Sequence, residues 1–264
     1  MKKNGELYSL GSLLHNELEM DRLKGNGLIL KMRNDLQSLT DKKVLIRAHG
    51  EPPQTFTEAE KQGVELIDAT CGVVKRLQQK IKLAAEEMST LDGQVVIFGR
   101  HDHPEVIGLM GHSNGRGIVI TTPQDIVKID ALKAVRLFSQ TTMDADLYEE
   151  IYNLLTLHMQ KAQPEPDIKR FDTICHHVSK RIPALKTFAS NSEVIIFISG
   201  RESSNGKKLF SICREINARS HFIGSDDELR QEWFSGVTSV GISGAASTPH
   251  WLMEDVAKKI KQLH

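Results

Sequence analysis

Short apolar runs rich in β-branched residues take turns with longer stretches of helical period along this chain of 264 residues. That alternation constrains the fold more than any other feature. The runs at Lys43–Arg47, Val64–Asp68, Gln94–Phe98, Gly117–Ile120, Ala134–Phe138, Glu193–Ser199 and Val237–Ser243 read as strands. Val73–Met88, Ala145–Lys161, Val178–Ser190, Gly206–Ile216 and Trp251–Gln262 read as helices. Strand and helix in turn predict an α/β fold with mostly parallel sheets. The runs are apolar throughout rather than alternating, as in sheets covered on both faces. At roughly 100–200 residues per domain the length admits up to three domains, and Gln163-Pro-Glu-Pro-Asp167 is the sharpest punctuation.

Charge narrows the function classes. Lys and Arg total 34 and Asp and Glu total 34. A net charge of zero argues against a nucleic-acid binder relying on bulk positive charge and against a polybasic membrane surface. No apolar stretch approaches the roughly 18 residues of a membrane-spanning helix. Met1-Lys-Lys-Asn4 is basic, but Gly5-Glu-Leu-Tyr-Ser-Leu-Gly-Ser12 is no signal-peptide core. The expected location is the cytoplasm, with no membrane and no nucleic-acid partner. The cysteines are Cys71, Cys175 and Cys213. Their odd number and the absence of any Cys-x-x-Cys spacing speak against a disulfide framework or a zinc ribbon, and taken alone they read as buried structural thiols.

Polar residues gather where the strands end. KVLIR is followed by Ala48-His49-Gly50, VVIF by Gly99-Arg-His-Asp-His-Pro-Glu105, and AVRLF by Ser139-Gln-Thr-Thr142. EVIIFIS is followed by Gly200-Arg-Glu-Ser-Ser-Asn-Gly206, and VTSVGIS by Gly244-Ala-Ala-Ser-Thr-Pro249. Open α/β sheets bind ligands at the carboxyl ends of their strands. Hydroxyls, amides and backbone N–H groups at helix N-termini cradle phosphate without Lys or Arg. Ser203-Ser-Asn-Gly206 and Ser247-Thr-Pro249 suit that use, with His15, His49 and His103 as further donors. Helix capping is the competing reading, since Ser204, Asn205 and Thr248 are good N-caps and Pro249 suits a first helical turn. Glu105, beside His103-Pro104, is a candidate general acid or merely a first-turn carboxylate favoured by the helix dipole.

One weak repeat stands out. Asp68-Ala-Thr-Cys71 and Asp172-Thr-Ile-Cys175 lie 175 − 71 = 104 residues apart. Basic residues follow each, Lys75 and Arg76 after the first, Lys180 and Arg181 after the second. A cysteine at a helix N-terminus tends toward the thiolate, the form that binds metal.

Taken together, His15-Asn16, Ala48-His-Gly50, Asp68-Ala-Thr-Cys71, His103-Pro-Glu-Val106, Ser139-Gln-Thr-Thr142, Thr173-Ile-Cys175, Ser203-Ser-Asn205 and Gly244-Ala-Ala-Ser-Thr-Pro249 resemble the LytB family of 4-hydroxy-3-methylbut-2-enyl diphosphate reductases. The resemblance implies an iron–sulfur oxidoreductase of the non-mevalonate isoprenoid pathway. That enzyme removes an allylic hydroxyl with two electrons and two protons to give isopentenyl and dimethylallyl diphosphates. It implies a cloverleaf of three small α/β domains, here 1–70, 71–171 and 172–264, around a central [4Fe–4S] cluster. By the resemblance Cys71 and Cys175 are cluster ligands. His15, His49, His103, Ser203, Ser204, Asn205 and Ser247 bind the diphosphate. Glu105 feeds protons toward the leaving hydroxyl, and Thr141 holds that hydroxyl. An external electron donor such as ferredoxin or flavodoxin is implied.

The chain departs from the family pattern in three places. The family carries its first cluster cysteine in a Gly-Phe-Cys-x-Gly-Val-like motif ahead of the His-Asn pair. No such motif occurs among these residues, so the expectation is a sequence lacking that N-terminal segment. Cys213 does not replace it, since Leu209–Ile216 reads as an amphipathic helix in which Cys213 is a small buried hydrophobe. Gly72 and His112 stand where Pro and Gln are usual. Two other classes stay open: a cluster-deficient, non-catalytic diphosphate-binding fragment or homologue, and a zinc hydrolase using Cys71, Cys175 and a histidine.

Overall fold

The computed structural model describes residues 6–175 and 181–263. It contains three separate sheets. The first has the strand order β2-β1-β3-β4, formed by β1 (Leu7–Leu10), β2 (Leu28–Lys31), β3 (Lys43–Ile46) and β4 (Glu65–Asp68). The second has the order β6-β5-β7-β8, from β5 (Gln94–Phe98), β6 (Gly117–Ile120), β7 (Val135–Ser139) and β8 (Ile168–Arg170). The third has the order β10-β9-β11, from β9 (Val194–Ile198), β10 (Ser220–Ile223) and β11 (Val240–Gly244). Strand pairs β1–β3 and β3–β4, β5–β6, β5–β7 and β7–β8, and β9–β10 and β9–β11 are all parallel. The expected α/β class with mostly parallel sheets is the observed one.

The helices are α1 (Glu17–Gly25), α2 (Pro53–Lys61), α3 (Gly72–Thr90), α4 (Pro104–Gly111), α5 (Ala145–Gln160), α6 (Arg181–Ser190), α7 (Ser204–Ile216) and α8 (His250–Leu263). The first residues of the expected 178–190 helix, with Lys180, lie outside the described residues. The described residues form two compact units, one of 12–29 with 181–263 and the other of 6–11 with 30–175.

Why the central strands are apolar throughout is visible in the packing. Val96, Phe98, Val135 and Leu137 face Tyr148, Ile151, Leu155 and Met159 of α5. Their neighbours Val95, Ile97 and Phe138 face Leu77, Ile81, Ala84, Ala85 and Met88 of α3. In the third sheet Val194, Ile196 and Ile198 pack on Leu252, Val256 and Ile260 of α8. Ile195 and Phe197 pack on Leu185, Ala189, Leu209 and Cys213. Successive side chains point to opposite faces, so a strand covered on both must be apolar at every position. The first sheet departs from this expectation. Its edge strand β4 is largely exposed, with only Leu66 half-buried.

One charged residue interrupts the second core. Arg136 of β7 is 1% exposed, and its guanidinium bonds Glu87 and Asp167. A buried guanidinium must be paired in this way. The run expected as a strand over 237–243 begins only at Val240. The Glu193 carboxylate accepts bonds from Thr238 N–H (2.7 Å) and Thr238 Oγ1 (3.0 Å), and the chain bends at Thr238 before the strand starts.

Candidate functional site

In the 6–11 and 30–175 unit, the loops that follow strand carboxyl ends hold a connected set of polar groups. After β3, Gly50 takes φ +74° and its N–H donates to the Arg47 carbonyl (3.0 Å). This tight turn, which glycine adopts without strain, presents the half-buried His49. After β4, Cys71 is the N-cap of α3, and its N–H donates to the Ala48 carbonyl (3.0 Å), beside His49. After β5, His103 caps α4, its Nδ1 accepting from the Glu105 N–H (3.2 Å). An accepting Nδ1 fixes the neutral ring with its proton on Nε2. The rings of His49 and His103 meet edge to face, with centroids 5.4 Å apart.

Glu105 occupies the first turn of α4 and is 2% exposed. The Thr141 N–H donates to one of its carboxyl oxygens (2.7 Å) and Thr141 Oγ1 to the other (2.8 Å). Burial pushes the Glu105 carboxyl above the usual carboxylate range, outweighing the two Thr141 bonds, which pull the other way. Thr141, 6% exposed, follows β7, and its carbonyl accepts from the Cys175 N–H (2.8 Å). Within this unit the structure therefore brings together Cys71, His49, His103, Glu105, Thr141 and Cys175.

The other unit holds the remaining candidates. His15 immediately precedes Asn16, whose Oδ1 caps α1 by accepting from the Glu19 N–H (2.9 Å). Gly200 lies against the His15 backbone so closely that a Cβ there would sit 2.1 Å from the His15 carbonyl oxygen. Ser247 Oγ donates to the same carbonyl (3.4 Å). Three residues past Gly200, Ser203 is the N-cap of α7, with Oγ accepting from the Gly206 N–H (3.1 Å). Ser204 and Asn205 form the first helical turn. Asn205 Oδ1 is buried without a hydrogen-bond partner. His15, Ser203, Ser204, Asn205 and Ser247 thus lie on three neighbouring segments at one end of the third sheet.

The capping reading needs correction in detail. The N-cap is Ser203 rather than Ser204 or Asn205. Thr248 Oγ1 donates instead to the Ile198 carbonyl (2.7 Å), and Pro249 precedes α8 rather than lying in its first turn. Capping thus accounts for Ser203 but not for the buried Asn205 oxygen.

The three cysteines are free thiols with different surroundings. Cys71 is exposed, Cys175 half-buried and Cys213 fully buried. Burial in an apolar core pushes the Cys213 thiol up to about 11, against forming the thiolate that a metal needs. Free cysteines such as Cys71 and Cys175 are the side-chain type from which iron–sulfur, zinc or copper sites draw soft ligands.

Three residues that stand in the sequence motifs carry positioning roles the sequence did not assign to them. Thr173 Oγ1 accepts from the Ser139 N–H and donates to the Ser139 carbonyl, both at 2.8 Å, and so ties the Cys175 loop to the end of β7. Asp68 and Lys75 flank Cys71 and pair at 2.7 Å. Their sequence signals were the carboxylate three residues before each cysteine and the basic residues after it.

A model described as LytB protein matches residues 1–261. The chain belongs to the LytB family. It is 43% identical over 263 residues to a 4-hydroxy-3-methylbut-2-enyl diphosphate reductase of Bacteroides thetaiotaomicron, covering 100% of this chain and 90% of that relative. It is 42% identical over 283 residues to the reductase of the same name from Chloroherpeton thalassium, covering 99% of this chain and 89% of the relative. A solved structure of (E)-4-hydroxy-3-methyl-but-2-enyl diphosphate reductase, titled the terminal enzyme of the non-mevalonate pathway, matches with a TM-score of 0.75. That match is 34% identical and covers 98% of this chain and 89% of the other. The structure of the E-1-hydroxy-2-methyl-but-2-enyl-4-diphosphate reductase from Plasmodium falciparum, at 23% identity and a TM-score of 0.78, shares the fold. LytB membership leaves the zinc-hydrolase reading without support. Among the described residues, no helix is long and apolar enough to cross a membrane.

Proposed function

We propose that this LytB chain is an iron–sulfur oxidoreductase that reductively removes the hydroxyl of 4-hydroxy-3-methylbut-2-enyl diphosphate, giving isopentenyl and dimethylallyl diphosphates. The observation that carries the reading is Glu105. It is a buried carboxyl with a raised proton affinity, bonded through both oxygens to Thr141, in a chain whose relatives bear that reductase name. A carboxyl kept protonated by burial is the usual device for a general acid near neutral pH.

Thr141 N–H holds one Glu105 oxygen in place. The second oxygen, when protonated, donates to Thr141 Oγ1, and the Thr141 hydroxyl then passes its own proton to the leaving hydroxyl. The net result is one proton moved from carboxyl to substrate oxygen. Each unit offers neutral donors for the diphosphate, His49 and His103 in one and His15, Ser203, Ser204, Asn205 and Ser247 in the other. Such donors bind phosphate through hydrogen bonds and helix N-termini, and Asn205 Oδ1, buried without a partner, supports a polar ligand there.

Cys71 and Cys175 would hold a [4Fe–4S] cluster. Their free thiols and accessible loops fit thiolate ligation, whereas the buried Cys213 does not. When bound, the cluster supplies the electrons that break the allylic C–O bond. Those electrons come from a donor such as ferredoxin or flavodoxin. The three sheets support a division into three domains at 1–70, 71–171 and 172–264. Three free cysteines support the cytoplasm as the location.

The test is turnover. The protein is preceded by a segment bearing the family's Gly-Phe-Cys-x-Gly-Val-like motif as third thiolate, reconstituted anaerobically with iron and sulfide, and given reduced viologen. It should form both products. The same protein with Ser in place of that cysteine should bind the substrate diphosphate without turnover. No product from the form carrying this third thiolate contradicts the reading.

A further inference from the structure

Cys71 sits on an unusually exposed piece of backbone for a ligand. Strand β4, which leads to it, is an edge strand with Glu65, Ile67 and Asp68 exposed. The residue after it, Gly72, opens α3 with the backbone freedom of glycine. Two backbone bonds hold Cys71 itself: its N–H on the Ala48 carbonyl (3.0 Å) and its carbonyl on the Lys75 N–H (2.9 Å).

One side chain spans the cysteine from both sides. Asp68 Oδ1 accepts from the Thr70 N–H (3.0 Å) and from Thr70 Oγ1 (2.5 Å), closing the turn before Cys71. Its Oδ2 meets Lys75 Nζ at 2.7 Å, in the first turn of the helix after Cys71. A carboxylate has acceptor sites on both oxygens for three such bonds. Asn retains one accepting oxygen but turns N–H donors toward the Lys75 ammonium. Serine is too short to span both sides.

We infer that Asp68, through Thr70 and Lys75, is a positioning residue that fixes the Cys71 thiolate for metal ligation. The clamp stands in for rigidity that Gly72 does not give. The inference rests on the reading of Cys71 as a cluster ligand under the proposed function.

The prediction is specific to one loop. In the reconstituted protein, Asp68→Ala should lose iron to a chelator at least tenfold faster than the wild type and alter the low-temperature electron paramagnetic resonance spectrum of the reduced protein. Asp68→Asn and Lys75→Met should fall between. In the metal-free protein, Asp68→Ala should speed amide exchange at Thr70 and Cys71 and leave Cys175 unchanged. Cys71 has φ −54° and ψ 135°, a conformation open to a residue before proline. Gly72→Pro added to Asp68→Ala should therefore restore most of the lost retention, which a merely structural defect elsewhere would not allow.

Equal iron loss in wild type, Asp68→Ala and Lys75→Met overturns the inference, as does unchanged amide exchange at Thr70 and Cys71. A wild type that takes up no iron overturns the cluster reading and the ligation role with it. The exchange rates then still decide whether Asp68 holds the loop.

Discussion

The loops bearing Cys71 and Cys175 begin from the same four-residue frame, an Asp three positions before the cysteine and a Thr between them. They are built on opposite principles. At Cys71 the Thr stands immediately before the cysteine and turns back on Asp68, so the restraint is local and charged, centred on an exposed carboxylate. At Cys175 the Thr stands immediately after the Asp. Thr173 exchanges two hydrogen bonds with the backbone of Ser139, a fully buried residue at the end of β7. Moving one hydroxyl by one residue thus shifts the anchor from a carboxylate at an edge strand to the end of a central strand. Only the second loop is joined to the acid, because the Thr141 carbonyl accepts the Cys175 N–H while Thr141 itself holds Glu105. One motif gives two mechanics, according to whether its threonine turns back on its own carboxylate or reaches across to the end of the neighbouring central strand.

The strongest way to break this contrast is at the acid. Glu105→Gln removes the transferable proton while preserving shape. In the form extended by the third thiolate it should lower turnover by about 10²–10⁴-fold and leave diphosphate binding and the iron content as in the same form without the substitution. A variant that keeps more than about half the activity removes Glu105 from the proton path.

The next effect is on stability. Thr173→Val leaves the buried Ser139 N–H and carbonyl without their partner. It should cost about 1–3 kcal/mol in denaturant unfolding, the penalty for stranding buried polar groups. Thr70→Val leaves behind only an exposed Asp68 carboxylate that keeps its bonds to the Thr70 N–H and Lys75, so it should cost under about 1.5 kcal/mol, the net worth of one ordinary hydrogen bond. Equal costs for the two variants would erase the distinction between a core-anchored and a surface-clamped cysteine.

The smallest effect is a slope. Glu105 is held above the usual carboxylate range by burial, so the folded state binds its proton more tightly than the unfolded chain does. Its contribution is full below the ordinary glutamate value of about 4.3 and is lost as pH rises through the raised folded value. Wild-type stability should therefore fall relative to Glu105→Gln as pH climbs from about 4 toward neutrality. Parallel stability curves for the two proteins would contradict a raised Glu105.

Much of this was legible in the sequence, for identifiable reasons. Strands covered on both faces, β5, β7 and β9, announce themselves as unbroken apolar runs. The site residues follow them, because parallel strands deliver every loop to the same edge of a sheet. Strands β1, β2, β8 and β10 were not read. LYSL, IKR and SHFI mix polar with apolar residues, and β8 is only three residues long. Their pairing comes from a neighbouring strand rather than from their own pattern. Arg136, inside a run read as apolar, was hidden because its partners Glu87 and Asp167 lie 49 and 31 residues away. The clamps at the two cysteines were invisible for a related reason. The choice between Asp68 with Lys75 and Thr173 with Ser139 is a matter of which loop lies next to a buried strand end, and no local spacing encodes it.

The claim beneath the comparison is that two differently built loops do the same chemical job and that the third cysteine does not. Iron and sulfide content after anaerobic reconstitution of the Cys71→Ser, Cys175→Ser and Cys213→Ser variants of the three-thiolate form tests it most directly. The account predicts that the first two each abolish a stable cluster. The third should keep it and show only a packing loss of roughly 1–2 kcal/mol. If Cys213→Ser sheds iron as readily as Cys71→Ser, or if Cys175→Ser retains a full cluster, the assignment of the ligands is wrong.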